Sequence, residues 1–170
     1  MPLITFVDEN DKVIGSGTKE EIWKKGIIHR IVRIFLFNYQ GELLIQKRSD
    51  FLASMPGRWD QSAGGHVDEG EDYDVAALRE LMEEIGVFSV SLKKISKYFS
   101  NDTEEDKNKI KKRFNTLYTV IYDGDIKPNI EEVSEVKWIK PEDLKKWMDD
   151  KPSAFTKGFI DAFRIYKESR

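Results

Sequence analysis

The chain has 170 residues, 39% of them apolar and 35% charged, with a formal net charge of -3 and no cysteine. That length suits one domain with a substantial core, and the composition is too apolar for a disordered chain. The balance offers no basic field for a nucleic-acid polymer, and the lack of cysteine excludes disulfides, zinc-thiolate centres and a cysteine nucleophile.

The opening residues lack the basic segment and long apolar run of a signal peptide, and no later stretch is long enough to span a bilayer. A cytoplasmic location with no membrane partner is therefore expected. Residues 3-7 and 12-17 predict two short strands around an Asn10-Asp11 turn. Thr18 with Glu21 three positions on marks the start of a short helix that ends near Gly26. Residues 1-28 thus form a strand-helix appendage, which could contribute to a homodimer.

The β-rich runs Ile31 to Phe37 and Glu42 to Lys47, separated by Asn38-Tyr39-Gln40-Gly41, predict a hairpin whose first strand is central in a sheet. Residues 49-61, with Pro56, Gly57 and Trp59, predict a loop leading into the small-residue stretch Ser62 to Gly65. A helix is expected from Asp72, its N-cap, to about Glu84, stopped by Gly86. Strands follow at 90-99, 113-122 and 133-139, the charged stretch 101-112 forming a hairpin tip, and the basic run Lys107 to Arg113 a solvated part of it. Pro141 opens a short helix, and a final amphipathic helix follows Thr156. This order predicts a single α+β domain with helices packed on a mixed sheet.

The chemistry concentrates in residues 65-87. On a helical wheel with Glu80 at zero, Glu83 and Glu84 fall at roughly -60° and +40°, so three carboxylates share a face. Val75, Leu78, Leu81, Met82 and Ile85 gather between roughly 100° and 220°, and this side is expected to enter the core while the carboxylates face outward or into a cleft. Such a cluster repels itself unless cations intervene, and its hard oxygen donors suit Mg²⁺ or Mn²⁺ completed by water and phosphate oxygens. Gly64, Gly65 and Gly70 let backbone carbonyls or amides approach a metal or phosphate. Arg79 could pair with Glu71 or a neighbouring acid to orient the cluster.

Gly65, Glu71, Arg79, Glu80, Leu81, Glu83, Glu84, Gly86 and Val87 together resemble the signature of the Nudix hydrolase family, G-x5-E-x7-R-E-U-x-E-E-x-G-U with U aliphatic. Average residue usage would produce that match in a random window with a frequency on the order of 10⁻¹⁰, so chance does not explain it. The resemblance implies an α/β/α sandwich around a mixed β-sheet and hydrolysis of a diphosphate linkage in a nucleoside diphosphate derivative or related small molecule. It also implies Glu80, Glu83, Glu84 and a carbonyl near Gly64 or Gly65 as ligands for Mg²⁺ or Mn²⁺. Glu80, Glu83 and Arg79 become the catalytic candidates, with Glu131 or Glu132 as a late-chain carboxylate. Substrate contacts are expected from Lys47, Arg48, His66 and Trp59, and His29 is expected to be structural.

A narrower resemblance rests on Val7-Asp8-Glu9, His29-Arg30, the Phe35 to Lys47 hairpin, Pro56-Gly57-Arg58-Trp59 and Gly65-His66. These are similar to the Nudix branch containing isopentenyl diphosphate isomerases and hydrolase-like relatives. The isomerases place a cysteine two residues before the histidine equivalent to His66, where this chain has Gly64, and bind metal through several histidines, where this chain offers His29 and His66. A hydrolase is the leading expectation. An isomerase-like enzyme and a catalytically silent nucleotide-binding module are the alternatives.

Overall fold

The computed structural model describes residues 2-170, so Met1 of the expected appendage lies outside the described residues. The chain forms β1 (Ile4–Val7), β2 (Val13–Gly17), α1 (Lys19–Lys25), β3 (His29–Phe37), β4 (Leu43–Arg48), β5 (Trp59–Asp60) and β6 (Ala63–His66). There follow α2 (Tyr73–Ile85), β7 (Lys93–Asn101), β8 (Lys112–Ile121), β9 (Val133–Ile139), α3 (Pro141–Asp150) and α4 (Lys157–Glu168). The helix ends follow local chemistry. Thr18, Asp72 and Thr156 each accept a backbone N–H in the first turn of α1, α2 and α4, and Gly26 and Gly86 close α1 and α2 in the left-handed conformation.

β3 organises the nine-stranded sheet. Its whole length pairs parallel with β8, from His29 opposite Arg113 to Phe37 opposite Ile121. Its other edge is shared: β1 meets it at His29, β6 runs antiparallel to residues 31-34, and β4 touches it at Phe37. The expected hairpin therefore forks just past its turn, and the glycine-rich stretch read as part of a loop region enters the fork as strand β6. Ser62 bridges the fork, accepting the Leu36 N–H (2.8 Å) and donating to the Leu44 carbonyl (2.6 Å). β4 then continues with β9 and with β5, a two-residue strand inside the expected 49-61 loop.

Side-chain alternation along β3 divides the core. Val32, Ile34 and Leu36 pack with Ala76, Ala77, Leu81 and Ile85 of α2, whereas Phe35 and Phe37 pack with Phe159, Phe163 and Tyr166 of α4 and with residues of α3. The result is an α/β/α sandwich around a mixed sheet. Phe35 is wholly buried, and truncating such a side chain to alanine costs roughly 3–5 kcal/mol.

α2 departs from the expected orientation. Val75 and Met82 are 51% and 52% exposed and Leu78 is also exposed, whereas Glu80 and Glu84 are buried with Ala76, Ala77, Leu81 and Ile85. The inward face is centred nearer the glutamates than the apolar count predicted. Small alanines let α2 lie close to the sheet, and Gly65 of β6 leaves room for the Glu80 carboxylate at that interface.

The N-terminal hairpin is fastened by Asp11, which accepts from Arg30 Nε (2.7 Å), Lys97 Nζ (2.7 Å) and the Tyr73 hydroxyl (2.8 Å). Burial alone would raise its pKa, but the hydrogen bonds from Lys97, Arg30 and Tyr73 outweigh it and hold the carboxyl below its usual range. A depressed folded-state pKa means stabilisation that is present above the unfolded value and lost as pH falls through the folded one. Asp11→Asn is expected to cost about 2 kcal/mol at neutral pH. In urea melts across pH, the gap between variant and wild type should close on acidification.

Candidate active site

The sheet face that carries the aromatic core continues, past the start of α4, as the floor of a cavity of about 540 Å³. That size falls within the range of small-molecule sites. Ile31, Arg33, Gly64, His66 and Arg113 line it; α2 contributes Arg79, Glu80, Glu83 and Glu84, and the turn before β9 contributes Glu132. Residues 52-55, residues 102-104 and α1 complete the rim. Lys109 Nζ donates to the Ala53 carbonyl (2.7 Å), Lys111 Nζ to Ser54 Oγ (2.6 Å) and the Ile110 N–H to the Trp23 carbonyl (2.9 Å), tying these pieces together.

Arg79 is the brace of the acidic wall. It donates Nε to Glu71 Oε2 (2.7 Å), Nη1 to Glu80 Oε1 (2.8 Å) and Glu83 Oε2 (3.2 Å), and Nη2 to Glu71 Oε1 (2.9 Å) and the His66 carbonyl (2.9 Å). Its pairing with Glu71 raises the Arg79 pKa and lowers that of Glu71, so this pair stays charged. One guanidinium therefore fixes the helix, the β6 end and the loop between them.

Glu84 Oε1 accepts the Gly64 N–H (2.9 Å) and Gln46 Nε2 (3.2 Å). Burial pushes the carboxyls of Glu80 and Glu84 above the usual carboxylate range; Arg79 opposes the rise at Glu80, and the charge of Glu80 adds to it at Glu84. Glu132, half-buried, is also raised, by burial and then by Glu83. A Cβ on Gly65 would overlap the Glu80 carboxylate, and one on Gly64 would come within 2.7 Å of the Val32 carbonyl. Gly65 is thus required by the close approach of α2 to β6, and Gly64 by the close packing of β6 against β3 and the Gln61 side chain.

This donor set fits a hard divalent cation. Glu80, Glu83, Glu84 and Glu132 line one cavity with Gly64, and the two buried carboxylates lack enough positive charge to balance them. Among the described residues, no three acidic or imidazole side chains form a ready-made cation cage. Mg²⁺ commonly binds through a few protein oxygens, with water and phosphate oxygens completing its shell.

Of the expected substrate contacts, Arg48 and His66 line the cavity and Lys47 and Trp59 do not. Trp59 is buried against Trp147 in the aromatic core, with ring centroids 5.6 Å apart. Lys47 alternates onto the other side of β4 from Gln46 and Arg48. His66 stands 5.3 Å from His29, whose Nδ1 lies 3.1 Å from the Ile27 carbonyl oxygen. Burial lowers both imidazole pKa values, that of His29 to about 3, so both rings are neutral at physiological pH.

The basic run expected to be solvated is corrected in part. Lys111 is buried, and its ammonium lies 2.6 Å from Glu104 Oε2, while Arg113 donates Nη2 to Asp102 Oδ2 (2.7 Å). Both line the cavity, Arg113 near the start of β8 and Lys111 just before it. The parallel register of β8 with β3 is the signal that brings Arg113 there, and no local pattern in the sequence announces it. Arg33 and Gln46 were missed for the same reason: each reads locally as one residue of a strand.

The Nudix domain family model matches residues 27–159, which contain every carboxylate of this wall. An uncharacterized Nudix hydrolase of Pseudomonas aeruginosa is 37% identical over 140 residues, covering 82% of this chain and 79% of its own length. Isopentenyl-diphosphate Delta-isomerase 2 of Photorhabdus laumondii is 34% identical over 157 residues, covering 92% and 88% respectively. A Deinococcus radiodurans crystal structure superposes with a TM-score of 0.78 at 27% identity, covering 96% of this chain and 99% of that one. With its signature helix, the backbone beneath it and its sandwich architecture, the chain belongs to the Nudix family.

Proposed function

We propose that this protein is a divalent-cation-dependent hydrolase that cleaves the diphosphate linkage of a nucleoside diphosphate derivative or related small molecule. The observation that carries the reading is the acidic wall: Glu80, Glu83, Glu84 and Glu132 line one cavity with Gly64, Glu84 accepting the Gly64 N–H and Arg79 holding Glu80 and Glu83. Glu80, Glu83, Glu84 and the Gly64 carbonyl would hold Mg²⁺ or Mn²⁺. When bound, such ions neutralise phosphate charge and lower the pKa of a coordinated water.

The remaining work falls to the chain. Arg79 keeps Glu80 and Glu83 aimed into the cavity. Glu132, whose raised pKa brings it closer to neutrality, accepts the proton of the attacking water from across the cavity. Arg48, oriented by Asp60 (3.3 Å) and the Ser54 carbonyl (3.0 Å), meets the phosphate charge that develops in the transition state.

The isomerase relatives raise double-bond isomerisation as a second reading. The chain has no cysteine, and Gly64 stands where the resemblance places the isomerase thiol; both features favour hydrolysis.

Nucleotide sugars, dinucleotides, nucleoside triphosphates and prenyl diphosphates, incubated with Mg²⁺ or Mn²⁺ and assayed for phosphate or nucleotide release, are expected to reveal metal-dependent cleavage. Glu83→Gln should lower the rate about 10²-fold or more. Conversion of a prenyl diphosphate to its isomer without phosphate release would overturn the hydrolase reading.

Gly65→Ala provides a separate check on the platform. The added methyl displaces the Glu80 carboxylate, and calorimetric Mn²⁺ titration should show affinity weakened roughly 10-fold to 100-fold. Unchanged affinity in a folded variant would remove Glu80 from the ligand set.

A further inference from the structure

The cavity has a second charged region, carried by β3, β8 and the start of α4 and separate from the acidic wall. Arg33 is 5% exposed. Its Nε donates to Asn115 Oδ1 (2.9 Å) and its Nη1 to Gln61 Oε1 (2.9 Å), and both partners are neutral amides. Among the described residues no carboxylate forms an ion pair with it. Gly158, at the start of α4, carries no side chain where a Cβ would overlap the Arg33 guanidinium, so α4 packs directly over it.

Arg113 lies two residues from Asn115 on the same face of β8. Its Nη2 is held by Asp102 (2.7 Å), while its buried Nε has no hydrogen-bond partner. Asp102 is also shared with Lys157 Nζ (2.9 Å). Asp102 thus serves both Arg113 and Lys157, Lys157 also pairs with Asp161 (2.7 Å), and Lys111 beside them is matched by Glu104, so among these cavity-lining cations Arg33 is the one without a carboxylate partner among the described residues.

Burying a guanidinium among neutral groups is unfavourable unless an anion compensates it. Here Arg33, with its uncompensated charge, and Arg113, with its unused donor, line the same cavity as the proposed reaction centre. Resting on the hydrolase reading, we infer that Arg33 and Arg113 bind an oxyanion carried by the substrate outside its scissile diphosphate, a phosphate monoester or a carboxylate. The preferred substrate class is then a small-molecule diphosphate with an additional remote anionic group. The acidic wall handles the diphosphate through cations, and the arginine pair reads the remote group directly, through charge-assisted hydrogen bonds.

The test begins without metal, so that it does not depend on hydrolysis. In chelator, inorganic phosphate and acetate are titrated against the whole protein by calorimetry at low ionic strength. Saturable binding of either supports the inference, and the tighter one identifies the phosphate or carboxylate class. Arg113→Gln should weaken that binding about tenfold or more, Glu83→Gln should leave it unchanged, and Asp102→Asn should strengthen it by removing the competing carboxylate. Should Arg33→Gln fail to fold, because Asn115 and Gln61 lose their donor, Arg113→Gln and Asp102→Asn give opposite expected shifts. No saturable binding to wild type, or equal binding to wild type and Arg113→Gln, would overturn the arginine site while leaving metal-dependent cleavage standing. With metal restored, dinucleotides with and without one added phosphate monoester form a matched pair. Arg113→Gln should raise KM for the phosphorylated member alone; equal effects on both would also overturn the inference.

Discussion

Burial of Glu80 and Glu84 on the inward face of α2 is the constraint around which the rest of the structure is arranged. Two carboxylates stripped of water and set near one another resist ionisation and oppose close packing of helix on sheet. The fold answers with specific pieces: a guanidinium from the same helix, the backbone N–H of Gly64, the amide of Gln46, and glycines in β6 where any side chain would collide. The forked β3-β4 hairpin follows from the same demand, since β6 needs a place beside β3 from which to meet α2. A surface acidic cluster would require none of these.

The cavity then joins two kinds of electrostatic surface. On one side, carboxylates are held by Arg79 in an arrangement that cations would complete. On the other, Arg33 has no carboxylate partner among the described residues and Arg113 shares Asp102 with Lys157. A substrate with its negative charge divided between a diphosphate and a remote group complements both sides, whereas a neutral ligand would leave both uncompensated. The rim is assembled from α1 and two loops cross-linked by Lys109, Lys111 and Ile110, so the N-terminal appendage forms part of the cavity wall.

The sequence announced the features governed by near neighbours. Thr18, Asp72 and Thr156 marked helix starts, Gly26 and Gly86 marked helix ends, and the spacing from Gly65 to Val87 located the acidic wall. Features governed by distant neighbours were hidden. Val75, Leu78 and Met82 suggested a core face because they are apolar, yet the inward direction of α2 is set by its small alanines and by the glycines opposite. Ala63 to His66 has little strand propensity and becomes a strand because β3 offers it an open edge. Trp59 read as a ligand platform, but α3 supplies Trp147 to cover it. The buried placement of Arg113 depends on a parallel pairing with residues more than eighty positions away.

On the proposed reading, the two buried glutamates form a cation platform whose like charges are tolerated because metal relieves them. Thermal unfolding of wild type and Glu84→Gln, each in chelator and in Mn²⁺, tests it most directly, because glutamine can still accept from Gly64 and Gln46 without adding charge. Mn²⁺ should raise the wild-type Tm, Glu84→Gln should lose most of that rise, and the variant should be at least as stable as wild type in chelator. A wild type indifferent to Mn²⁺, or a variant that keeps the full rise, would contradict it.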